Sequence, residues 1–94
     1  MTIKNILQLS VFLICTYSFS QLGVGTSLPE ASAQLDVVST DKGILIPRLA
    51  LTSTTDTSTI ANGNIESLMV YNTNTATGIS SGYYYWANNV WNRL

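Results

Sequence analysis

The chain has 94 residues, with four lysines and arginines, five acidic residues and no histidine. A chain of this length forms at most one domain, and its sparse, balanced charge offers no basic patch for nucleic acid. Without histidine, and with its acids spread along the chain, it has neither the usual catalytic base nor a calcium-loop pattern. We therefore predict a protein that is not an enzyme, with no catalytic residues, cofactor, metal site or nucleic-acid partner.

The first 20 residues have the pattern of a secretory signal peptide. Lys4 precedes a mostly apolar stretch over residues 6–19, and Ser18 and Ser20 suit a cleavage site after position 20. An apolar run of about 14 residues is shorter than the roughly 20 that a transmembrane helix needs. We predict a cleaved signal-peptide helix, with an uncleaved anchor as the alternative, and no stable membrane span after cleavage.

Cleavage at this point would leave a mature chain without cysteine. Cys15, the single cysteine, lies inside the predicted signal peptide, so the chain from Gln21 onward has no disulfide. Small domains that lack a disulfide or a metal often gain stability by oligomerisation. We therefore expect self-association.

Residues 21–34 are predicted to form an extended lead-in with a short helical turn. Gly23 and Gly25 allow another backbone to approach closely. Ser27 and Glu30 have the spacing of a capping box, which predicts one or two helical turns at this point.

Residues 34–51 contain two apolar runs that flank a polar turn. We predict a strand over residues 35–39, a turn over residues 40–43 and a second strand over residues 43–51. Gly43 is expected to adopt a positive φ in this turn, because glycine does so at little cost.

The second of these strands is expected to be buried on both faces at its start. Ile44, Leu45 and Ile46 are consecutive apolar residues, as in fully buried strands. Pro47 lacks an N–H donor, so an edge position, a bulge or a break is expected there. Arg48 is either a ligand or carboxylate anchor or, as we favour, a structural residue paired with an acid or with carbonyls. Structural roles are assigned to Asp36, Asp41, Lys42, Gly43, Pro47 and Arg48.

Polar residues connect the remaining strands. The serine and threonine tract at residues 52–59 predicts loops and a short capped turn, and Asn62-Gly63 is a strong turn signal. A third strand is predicted over residues 67–72, followed by a loop over residues 72–82.

The last segment has the pattern of an aromatic β-hairpin. Asn88-Asn89 can form a two-residue turn, because asparagine tolerates left-handed geometry better than most residues. That turn places Trp86 opposite Trp91 and Tyr84 opposite Arg93 on one face. Tyr85 would face Asn92, and Tyr83 would face Leu94, on the other.

Two interpretations of the hairpin remain open. Tyr84, Trp86, Trp91 and Arg93 could form a binding surface, since exposed tyrosine and tryptophan rings stack on sugars or anchor protein interfaces. The same aromatic residues could instead be the core of a small β domain, because few other large apolar residues are available for one.

Four blocks of residues, in order, resemble secreted, tail-fibre-like surface proteins of Bacteroidota. The blocks are residues 24–37, residues 39–49 (STDKGILIPRL), residues 68–73 (LMVYNT) and residues 82–86 (GYYYW) with Trp91. The resemblance implies an exported, non-catalytic, β-rich module with an adhesive or receptor-binding role. It also implies self-association, as in the trimers of tail fibres, or membership of a longer surface protein.

Together these observations predict a mainly β protein. We expect a small antiparallel β module with a C-terminal aromatic hairpin, divided into a signal peptide (1–20), a lead-in (21–34) and a β domain (35–94). We expect it at the cell surface, associated with the outer membrane or extracellular, as a structural or adhesive element. The alternative is a small carbohydrate-binding protein that uses the aromatic hairpin to hold a glycan.

Overall fold

The structure, a computed structural model, describes residue 5 and residues 20–94, which form six strands in two sheets. This confirms the mainly β prediction, and residues 20–94 contain no helix. Apart from positions 5 and 20, the predicted signal peptide lies outside the described residues, as does Cys15. The strands are β1 (Leu22–Val24), β2 (Leu35–Val37), β3 (Arg48–Leu49), β4 (Met69–Asn72), β5 (Gly82–Ala87) and β6 (Val90–Arg93).

The chain divides into two compact units, the first ending at Gly43 and the second covering Ile44–Leu94. In the first unit, β1 and β2 pair in parallel, with Leu22 opposite Leu35 and Val24 opposite Val37. The ladder extends beyond β2, because the N–H of Val38 donates to the carbonyl of Val24 at 2.8 Å.

The predicted helical turn in the lead-in is a single hydrogen-bonded turn, closed from the N–H of Ala33 to the carbonyl of Glu30 at 2.9 Å. In a capped helix the Ser27 hydroxyl would accept a hydrogen bond from the Glu30 N–H. That N–H donates instead to Oδ2 of Asp36 at 2.9 Å. The Gln21 amide donates to three carbonyl oxygens of the same loop, including that of Ala33 at 2.8 Å. Side chains at both ends of the loop therefore satisfy its backbone, and no helix is needed.

The polar turn between the two apolar runs forms, but by other chemistry than expected. Oγ of Ser39 accepts hydrogen bonds from the N–H groups of Asp41 and Lys42 at 3.2 and 3.0 Å. Gly43 does not have a positive φ, so that prediction is wrong. The serine hydroxyl turns the chain without left-handed geometry.

The second unit is a sheet with the order β3-β4-β5-β6. It is antiparallel except for β3, which pairs in parallel with β4. The strand predicted over residues 43–51 is reduced to two residues, because pairing begins only after Pro47, whose carbonyl accepts the N–H of Tyr71 at 2.9 Å. Ile44 and Leu45 are 57% and 75% exposed, so the prediction that they are buried is wrong for the single chain.

The core of the second unit lies on one face of this sheet. It consists of Leu51, Val70, Ile79, Tyr84, Trp86 and Trp91. The strand predicted over residues 67–72 begins at Met69, because Ser67 has a positive φ of 70° and interrupts the extended chain. Its side chains alternate, with Val70 and Asn72 buried and Met69 exposed.

The aromatic hairpin confirms the predicted register. Trp86 pairs with Trp91, Tyr84 with Arg93 and Tyr85 with Asn92. Asn88 and Asn89 form the turn with φ values of 55° and 60°. Two left-handed residues in succession define the turn that best matches the twist of a hairpin.

Candidate functional site

The residues predicted for sugar stacking lie in the core of the second unit. Tyr84, Trp86 and Trp91 are buried, and the two indole rings meet edge to face with their centroids 5.3 Å apart. The Trp91 indole donates to the carbonyl of Asp56 at 2.9 Å, and the Tyr84 hydroxyl donates to that of Ser80 at 2.8 Å. A buried ring presents no face to a sugar. This placement favours the core interpretation, and glycan binding stays a prediction.

Arg93 is exposed but lies against its own hairpin. Its Nη2 donates to the carbonyl of Ser81 at 3.1 Å, and its guanidinium covers Gly82 so closely that a Cβ there would lie 2.9 Å from Nε. Arg93 therefore supports the start of β5, and the structure does not combine it with the three buried rings into one surface.

Arg48 borders a surface cavity of the second unit with a volume of about 260 Å³. Leu45, Ile46, Tyr71 and Tyr83 form the rest of its lining. The two tyrosine rings meet edge to face with centroids 5.0 Å apart. The lining combines aliphatic groups, phenols and one guanidinium, but it brings no acid and base together for catalysis.

Asp56 organises the polar tract and was not singled out from the sequence. Its carboxylate accepts hydrogen bonds from the N–H groups of Thr52, Ser58 and Thr59 at 2.8, 2.8 and 3.0 Å. It also accepts from the hydroxyls of Ser58, at 3.2 Å, and Thr59. Burial raises the pKa of Asp56, but the hydrogen bonds from Thr52, Thr59 and Ser58 outweigh burial and hold the pKa well below its usual range. A single aspartate in a serine and threonine tract was the signal that could have identified it.

Asn72 joins three segments of the second unit. Its side-chain amide is fully buried, and the amide oxygen accepts hydrogen bonds from the N–H of Leu51 at 2.9 Å and from the N–H of Asn74 at 3.0 Å. It donates to the carbonyls of Asn74 and Ser80, both at 2.9 Å. All of its hydrogen-bonding capacity is therefore used within the unit, and none remains for a ligand.

The first unit presents an uncovered apolar surface. Leu22, Val24, Leu35 and Val37 are paired across β1 and β2 and lie on the same face, because side chains alternate along each strand. They are 60%, 48%, 56% and 37% exposed, respectively. We call these four side chains the β1–β2 apolar face.

A family model described as "Phage tail like trimerisation region" matches residues 23–94. The chain belongs to this family. The match includes residues 23–43 of the first unit and all of the second, and it therefore contains Val24, Leu35 and Val37 of the β1–β2 apolar face. No curated protein and no solved structure matches the chain.

Membership of the phage tail-like trimerisation family makes the chain a structural, tail-fibre-like module, which agrees with the prediction that it is not an enzyme. In the part of the chain that the structure describes, no three metal-binding side chains cluster. No helix among those residues is long and apolar enough to cross a membrane. The finer resemblance to Bacteroidota proteins stays a prediction.

Proposed function

We propose that the chain is a non-catalytic, exported module that assembles into a homotrimer within a cell-surface or fibre-like structure. The observation that carries the proposal is the imbalance between buried and exposed apolar side chains. Among residues 20–94, six hydrophobic residues form the core, whereas twelve large hydrophobic residues are exposed. Four of these twelve form the contiguous β1–β2 apolar face, and contiguous exposed apolar surface is typical of a protein interaction site.

The family supports a trimer as the assembled form. Its description is that of a trimerisation region, and the match covers nearly all of the described residues. The chain also has few charges with which to repel its own copies, with a formal net charge of −1. The signal-peptide pattern at residues 1–20 supports export, and the resemblance to surface proteins supports an adhesive role.

Native mass spectrometry tests the assembly. The expected native mass is three times the mass of the same chain after denaturation. A single-chain mass at every concentration tested would contradict the proposal. Amino-terminal sequencing of the protein recovered from the producing cells tests export, and the expected first residue is Gln21.

A further inference from the structure

We infer that the β1–β2 apolar face is the surface through which three copies of this chain meet around a common axis. The inference rests on the proposed trimer and adds to it the residues that form its interface. Leu22 and Leu35 would form one aliphatic layer around the axis, and Val24 and Val37 would form the next.

The first argument is that this sheet has one face already covered. A Cβ on Gly23 would lie 2.6 Å from the carbonyl oxygen of Thr26 and 2.8 Å from Cγ of Pro29, so the connecting loop packs directly on that side. The carboxylate of Asp36, on the same side, accepts a hydrogen bond from the Glu30 N–H. Any additional partner of the sheet must therefore contact the opposite face.

The second argument is that a sheet of this type needs a cover. Parallel sheets occur almost only where both faces are buried, and a sheet of two strands is marginally stable in water. Here the pairing of β1 with β2 covers three residues on each strand. Apolar contacts on the open face would supply the burial that so short a pairing lacks.

The third argument concerns the chemistry of the partner. All four side chains of the face are aliphatic and uncharged. Rotational symmetry brings the same surface of each copy together, so a charge near the axis would face its own equivalent. A surface without charges meets that requirement, whereas it offers nothing to bind nucleic acid or a polar ligand. Because the family region is one of trimerisation and includes Val24, Leu35 and Val37, the occupant is a second and third copy.

Matched valine variants of the full chain test the inference. Val24→Thr replaces a methyl with a hydroxyl on the face while it keeps the side-chain shape. Val38→Thr makes the same change at similar exposure, 51% against 48%, at a residue outside the four that form the face. Leu35→Asn places an amide in the aliphatic layer that Leu22 and Leu35 would form.

The readouts are the native mass as a function of concentration and the near-ultraviolet circular dichroism of the Trp86–Trp91 pair. We expect Val24→Thr to raise the concentration needed for trimers by about tenfold or more, because three hydroxyls enter the interface. At concentrations at which the unchanged protein is trimeric, Leu35→Asn should give the mass of a single chain. Val38→Thr should remain trimeric. All three should keep the tryptophan signal, because both rings lie in the core of the second unit.

Trimers that persist in both Val24→Thr and Leu35→Asn would overturn the inference and leave the proposed trimer intact. Equal dissociation of Val24→Thr and Val38→Thr would also overturn it. A single-chain mass for the unchanged protein would instead remove the proposed function, and the inference with it. If Leu35→Asn loses the tryptophan signal, its fold is disrupted, and the comparison of Val24→Thr with Val38→Thr then decides the inference.

Discussion

The indole of Trp91 donates a 2.9 Å hydrogen bond to the main-chain carbonyl of Asp56, 35 residues earlier in the chain. The N–H of Trp91 also donates to the carbonyl of Thr54 at 2.7 Å, so the polar tract lies along the outer edge of β6. One aromatic residue therefore links the last strand to the loop that the Asp56 carboxylate organises. The loop covers a sheet edge that would otherwise be open.

Substitution of Trp91 with phenylalanine is expected to destabilise the second unit by about 1–3 kcal/mol, because the Asp56 carbonyl loses its indole donor in a buried site. Urea unfolding followed by circular dichroism measures the change. Trp86→Phe makes the same change in the neighbouring ring and is the control for loss of ring volume. A smaller effect at Trp91 than at Trp86 would contradict the role of the hydrogen bond.

The stability of the second unit should decrease in acid because of Asp56. Its folded-state pKa lies below its unfolded value, so its contribution is present in full above the unfolded pKa of about 3.9 and is lost as the pH falls below it. We expect the thermal midpoint to decrease as the pH falls below about 4. Asp56→Asn should lower the midpoint at pH 7 and flatten this acid dependence, whereas Asp41→Asn, on an exposed turn, should leave both unchanged. A curve of unchanged shape in Asp56→Asn would count against this account.

Two glycines of the first unit should respond very differently to alanine. Gly25 has a φ of 76°, and a Cβ there would lie 2.1 Å from the carbonyl oxygen of Val38. Gly25→Ala should cost about 1–3 kcal/mol and expose the Val38 amide to hydrogen exchange, because strain and a backbone clash oppose β1–β2 pairing. Gly43→Ala, at a position with open space and no positive φ, should retain protection of that amide. Equal exchange in the two variants would disagree with this geometry.

The hairpin turn should discriminate between glycine and a β-branched residue at Asn88. Its φ of 55° is accessible to glycine but unfavourable for valine. Asn88→Val is expected to lower stability by about 1–2 kcal/mol, whereas Asn88→Gly should preserve or raise it. Thermal unfolding of the two variants provides the comparison. A valine variant as stable as the glycine variant would exclude a left-handed turn at this position.

Several features of the fold were predictable because they are local in sequence. The register of β5 with β6 follows from a two-residue asparagine turn between alternating aromatic residues, and every paired position is close in the chain. The break at Pro47 also follows from one residue, which has no N–H to donate. The family resemblance also rested on short blocks of sequence. The family match supports its coarser part, a tail-fibre-like module.

The sequence alone determined the β class and the aromatic hairpin, since local residue chemistry decides both of these. Only the tertiary structure decided that β2 pairs with β1, that β3 pairs with β4, and that Ile44 and Leu45 remain exposed. It also decided that Trp86 and Trp91 are core residues and that the Asp56 carboxylate accepts five hydrogen bonds. The physical reason is that parallel pairing and burial depend on residues distant in sequence, which no local pattern specifies.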